Sequence, residues 1–145
     1  MTTALDRPRE TDSRWRRVQA PALAAGAVLG ASLLLHLRDP HQSGSYLYCP
    51  WLLLTGTYCP GCGGLRAVND LSNGDLRSAF SSNALFVGSI PLLLWWWGTW
   101  AARRWRGVRR APNPRLAYAG TAVLVVLTAT FWVVRNLDAG AWLAP

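Results

Sequence analysis

Three apolar stretches without formal charge divide the chain. Pro21–Leu37 has only Ser32 and His36 as polar side chains, and Ala84–Ala102 and Leu116–Val134 each run nineteen residues without a charge. A helix spans a hydrocarbon core of about 30 Å with about 20 residues, so each stretch predicts a transmembrane helix. No polar stripe recurs at helical spacing along any of them, which argues against a water-soluble bundle. The predicted fold class is all-α: an integral membrane protein with transmembrane helices over 21–37, 84–102 and 116–134. A basic segment covers 1–20, and a Cys-containing loop covers 38–83 within a single membrane domain, 21–145. The first stretch is longer than a signal-peptide core and lacks a small-residue cleavage site, so it reads as a retained anchor.

Charge sets the expected orientation. The chain has 15 Arg and no Lys, against 7 acidic residues. Arg7, Arg9, Arg14, Arg16 and Arg17 lie before the first stretch, and Arg103, Arg104, Arg106, Arg109, Arg110 and Arg115 lie between the second and third. In 38–83, Arg38, Arg66 and Arg77 are balanced by Asp39, Asp70 and Asp75. Short basic segments stay cytoplasmic. The N-terminus is therefore expected inside, and the cysteine loop and C-terminus outside, a bacterial cytoplasmic membrane. Retention of these arginines accounts for the basic excess without a nucleic-acid partner; the expected partners are the lipid bilayer and, secondarily, another membrane protein. Trp95, Trp96, Trp97, Trp100 and Trp105 then form an interfacial belt. Pro91 removes a backbone donor and predicts a kink near Val87. Gly26 and Gly30 offer a close-packing helix face, read as intramolecular ahead of a dimer.

The loop holds the chemistry. Leu65–Leu71 reads as a short helix with Arg66 and Asp70 placed to pair at i, i+4. Ser72, Asn73, Gly74 and Asp75 form a turn, and Asp75 is placed to cap a helix that continues into the second span. Cys49, Cys59 and Cys62 are spaced C-x9-C-x2-C. Outside a membrane the leading reading is a structural disulfide from Cys49 to Cys59 or Cys62. Zinc is the alternative: Cys59-Pro-Gly-Cys62-Gly has the form of a zinc knuckle, and His41 is the candidate to complete four ligands with Cys49. A redox-active dithiol is the third, since a cysteine ahead of a helix start, near Arg66, favours the thiolate. No resident cofactor is otherwise implied.

Cys49-Pro50, Cys59-Pro60-Gly61-Cys62-Gly63, Arg66-Ala67, Asn73-Gly74-Asp75, Ala79 and Asn83 together resemble the signature of a bacterial membrane family known as domain of unknown function 2752. The resemblance continues in Arg135-Asn136-Leu137 and Leu143-Ala144-Pro145 and covers about Tyr46 to the C-terminus. It implies a small helical membrane protein and no established activity. Gly64 departs from the bulkier residue expected after Gly63.

Arg66, Asp75, Asn83, Arg135 and Asn136 fall at or near the same ends of the second and third spans, so they are expected to form one polar cluster beneath the cysteine loop. The chain has no Ser-His-Asp set, paired carboxylates, phosphate loop or HExxH motif. The expected role is structural or accessory rather than enzymatic, with a disulfide-clamped outer loop; the alternative is a thiol-redox or zinc-binding membrane protein using the CPGC motif.

Overall fold

The computed structural model describes residues 14–42, 46, 49–108 and 113–144. Most of the basic N-terminal segment, together with Arg109 and Arg110, lies outside the described residues. The elements are α1 (Arg14–Leu37), α2 (Pro50–Thr55), α3 (Gly64–Ser72), α4 (Leu76–Arg106), α5 (Pro114–Arg135) and a closing 3-10 helix, Asp138–Leu143. Described residues contain no strand. Trp15–Leu37, Leu76–Arg106 and Pro114–Arg135 are long and apolar enough to cross a membrane. The fold is an all-α membrane fold with three such helices.

The packed part sits at the cysteine-loop end. Ala67 on α3 and Ala79 and Val87 on α4 form the buried centre, with Leu71 and Phe86 against it. Two small residues at its heart let the short α3 lie close to the first turns of α4. Buried polar groups tie the same elements: Ser82 Oγ donates to Asp70 Oδ2 at 2.8 Å, and Asn69 Nδ2 donates to the Leu35 carbonyl of α1 at 2.8 Å. Toward the opposite end, Trp97 Nε1 donates to the Pro21 carbonyl at 3.2 Å and Arg104 lies over the Trp100 ring. No residue in the apolar window of α5 is buried; lipid tails are as apolar as leucine, so such a helix needs no protein cover.

The Asp75 cap forms as expected, and three other local expectations are not met. Asp75 caps α4, its carboxylate accepting from Ser78 N at 2.9 Å. Asp70 turns to Ser82 and His41, not to Arg66, because the interior side of α3 offers a buried hydroxyl. The break in α4 lies at Asn83 (φ −161°, ψ 92°), four residues ahead of the position that Pro91 predicted. A side chain that bonds its own backbone has displaced the helix there, as the site below explains. Gly26 and Gly30 have open space where a Cβ would stand, so the predicted intramolecular face is not used.

Gly140 is held by close approach. A Cβ at this position would run into the Val134 carbonyl as the 3-10 helix folds back over the end of α5. Gly140→Ala is expected to lift the 3-10 helix and lower stability by about 2 kcal/mol, the usual scale of overpacking. Thermal unfolding in detergent micelles measures it.

Candidate metal centre

Cys49 precedes α2 in extended conformation, with Pro50 supplying the fixed φ of a first helical position. The helix lasts six residues and ends at Gly56, whose N–H returns to the Leu52 carbonyl at 2.9 Å. The chain then runs back through Thr57 and Tyr58 into a tight turn. Cys62 N donates to the Cys59 carbonyl at 3.1 Å and Gly64 N to the Gly61 carbonyl at 3.0 Å. Gly63 has φ 81° and opens α3 from a conformation that side chains rarely adopt. These folds bring the three cysteines, distant in sequence by up to thirteen positions, to one point.

The Sγ atoms of Cys59 and Cys62 are 3.0 Å apart, those of Cys49 and Cys59 3.6 Å, and all three lie within 4.8 Å of one another. A disulfide bond measures about 2.05 Å. All three cysteines are free, so the disulfide clamp expected from sequence is not what the chain forms. The Sγ separations exceed bonding distance, and all three thiols converge instead on one point. A tetrahedral ion with Zn–S bonds of about 2.3 Å spaces its sulfurs at about 3.8 Å; the Cys49–Cys59 spacing is close to that value and the Cys59–Cys62 spacing falls short of it.

The thiols are not equivalent. The Leu52 amide in the first turn of α2, and then the Cys62 side chain, hold the Cys49 thiol below the ordinary value. Burial, followed by the Cys59 and Cys49 side chains, pushes Cys62 up to about 12. A low thiol pKa means more thiolate near neutral pH. Iodoacetamide is therefore expected to modify Cys49 of the metal-free protein first and Cys62 last, a sequence readable by peptide mass spectrometry; equal rates would contradict the assignment.

Beneath the thiols, two buried side chains occupy the carbonyls of the turn. Asn83 Nδ2 donates to Pro60 O at 2.9 Å and Cys62 O at 3.0 Å, while its Oδ1 accepts from Phe86 N at 2.9 Å. Arg135 Nη1 donates to Cys59 O at 2.9 Å and Cys62 O at 3.2 Å, and Nη2 to Leu143 O at 3.0 Å. Both residues are only 1% exposed. The guanidinium also lies 4.9 Å from the Phe131 ring centroid and 5.9 Å from that of Tyr58. Asn136 pairs with both backbone groups of Tyr58, accepting from its N–H at 2.8 Å and donating to its carbonyl at 2.9 Å. Trp51 meets Trp132 edge-on at 5.7 Å. The end of α5 thus grips the loop from one side and the break in α4 holds it from the other.

The five polar residues expected in one cluster do not all meet. Asn83, Arg135 and Asn136 gather on the cysteine loop. Asp75 stays at its helix cap. His41 lies between Asp39 (Nδ1 to Oδ1, 2.9 Å) and Asp70 (Nε2 to Oδ1, 3.4 Å), outside the three-thiol group. Arg66 joins neither: no salt bridge among the described residues includes it, and its charge is the last of the influences, after the His41 backbone and side chain, that hold the Asp39 carboxyl below the usual range. The predicted completion of a metal site by His41 is therefore not the arrangement seen. Sequence reasoning missed the Asp70–Ser82 pair, for which no spacing signal exists across the α3–α4 turn. It also missed the Leu143 carbonyl as a partner of Arg135.

Residues 49–97 match the family model described as "Protein of unknown function (DUF2752)". This part of the chain is similar to that family. No curated protein and no solved structure matches the chain. The DUF2752 segment contains all three cysteines and Asn83, and it stops short of Arg135 and Asn136, which reach the same turn from α5.

Proposed function

We propose that this protein binds a soft or borderline metal ion of the zinc class through Cys49, Cys59 and Cys62. The observation that carries this reading is the convergence of three free thiols within 4.8 Å, none of them joined as a disulfide. Thiolates select zinc and related ions, and a bound cation supplies the charge that deprotonates even the raised thiol of Cys62. In this role the ion, in place of a disulfide, closes the Cys49–Cys62 loop on itself, and Asn83 and Arg135 tie the closed loop to α4 and α5. The arginine distribution supports an orientation with the N-terminus and the α4–α5 loop in the cytoplasm. The metal loop and the 3-10 helix then face the outside of a bacterial cytoplasmic membrane. The role is that of a small metal-binding membrane protein, with no catalytic group assigned.

Protein purified in detergent under reducing conditions is expected to carry about one zinc per chain by elemental analysis, and Cys59→Ser or Cys62→Ser to lose it. A wild-type protein free of metal after purification and after incubation with zinc would overturn the reading. Cysteine labelling with a membrane-impermeant reagent in intact cells, after chelation, tests the orientation separately.

A further inference from the structure

The three thiols share their site with a charge that has no carboxylate. Arg135 is 1% exposed, its Nη1 rests on the carbonyls of Cys59 and Cys62, and its Nε has no hydrogen-bond partner. No salt bridge among the described residues includes it. An isolated buried guanidinium is costly unless something neutralises it. Three thiolates around a divalent ion carry one net negative charge, which a single guanidinium cancels. That count matches the single buried guanidinium beside the thiols.

A tetrahedral ion needs one more donor. Among the described residues the side chains nearest in role are already committed: His41 to Asp39 and Asp70, Asn83 to Pro60, Cys62 and Phe86, and Asn136 to Tyr58 and Trp132. The cysteines are half-buried rather than enclosed. Approach is open at Gly61, which is exposed; a Cβ there would stand only 3.8 Å from Cys59 Sγ. Gly61 also lines the end of an apolar groove of about 600 Å³ between α4 and α5.

We infer that the centre keeps its fourth coordination position open to a neutral donor from outside the chain, of the imidazole class. This rests on the metal-binding reading above and adds to it a place for exchange. Charge excludes anions: with Arg135 the three-thiolate divalent centre is neutral, so water or imidazole preserves neutrality, and imidazole is the stronger of these donors to zinc, whereas a fourth thiolate or a chloride leaves an uncompensated negative charge over a half-buried loop. An open position is also what distinguishes a zinc site that exchanges ligands from a closed structural one.

The test uses the full-length protein in detergent with Co2+ in place of zinc, because its visible bands report coordination. Imidazole is expected to shift those bands saturably while Co2+ stays bound. Chloride and 2-mercaptoethanol are expected to bind at least about tenfold more weakly, the scale of one charge interaction in a partly buried site. Arg135→Gln is expected to weaken Co2+ binding by about tenfold or more, and Arg135→Lys, which keeps the charge, to restore much of it. Bands indifferent to saturating imidazole, or a preference for 2-mercaptoethanol, overturn the open neutral position while leaving metal binding intact. Failure of Co2+ to give a Cys59-dependent charge-transfer band overturns both. Should Arg135→Gln not fold, the donor preference of the wild-type protein still decides.

Discussion

Arg135→Met is expected to release the cysteine turn and lower stability by about 3 kcal/mol. The guanidinium makes three hydrogen bonds to main-chain carbonyls, those of Cys59, Cys62 and Leu143. Hydrogen bonds from a charged donor contribute about 1.5–3 kcal/mol each. The net loss is smaller than their sum, because methionine also removes a buried charge that lacks a carboxylate partner and is costly to desolvate. After the substitution the Cys59 carbonyl loses its side-chain donor, and Cys62 keeps only Asn83. The Leu143 carbonyl is also left without its donor, so the 3-10 helix loses its tie to α5. Two readings follow from one variant: an earlier unfolding transition in micelles, and faster alkylation of Cys62 in the folded protein. Alkylation at the wild-type rate would show that the turn is held without Arg135.

Asn83→Leu is expected to cost about 2–3 kcal/mol by a different route. Asn83 interrupts α4 with an extended residue, and its side-chain oxygen then caps the continuing helix through Phe86 N. A lost cap costs about 1 kcal/mol, and the two donated bonds to Pro60 and Cys62 go with it at about 1 kcal/mol each. Leucine also favours closing the break, which would move the first turns of α4 relative to α3 and disturb Ala67 against Ala79. Asn83→Ser separates the parts: it retains a capping oxygen and loses the amide donors to the turn. Ser should therefore retain more stability than Leu while still losing metal occupancy. Equal behaviour of the two variants would place the whole effect in packing.

The helical framework was legible from local chemistry. Unbroken apolar runs specify the three long helices because, without water, a backbone must satisfy its own hydrogen bonds. The cap at Asp75 and the short helix after Gly63 follow from residues acting on their near neighbours. The break at Asn83 was not legible. Pro91, with its missing donor, is the conspicuous helix disruptor, but α4 passes through it, whereas Asn83 breaks the helix because turn carbonyls twenty-odd residues away accept its amide. Arg66 and Arg135 looked alike as boundary arginines. Only the packing shows that Arg66 stays apart from the thiols while Arg135 is buried beneath them.

The cysteines mark the same division. By itself the sequence determined an all-α membrane chain, the two basic regions that set its expected orientation, and a cysteine-bearing loop placed between spans. Those features depend on composition and short-range spacing, which the solvent and the bilayer read directly. The meeting of three sulfurs, the use of Asn83 and Arg135 to occupy the turn carbonyls, and the separation of His41 from the thiols were decided by the tertiary structure. Spacing of the C-x9-C-x2-C kind is compatible with a disulfide, a dithiol or a metal site. The distances that distinguish them arise only when the short α2 helix turns the chain back, and the ends of α4 and α5 close beneath it.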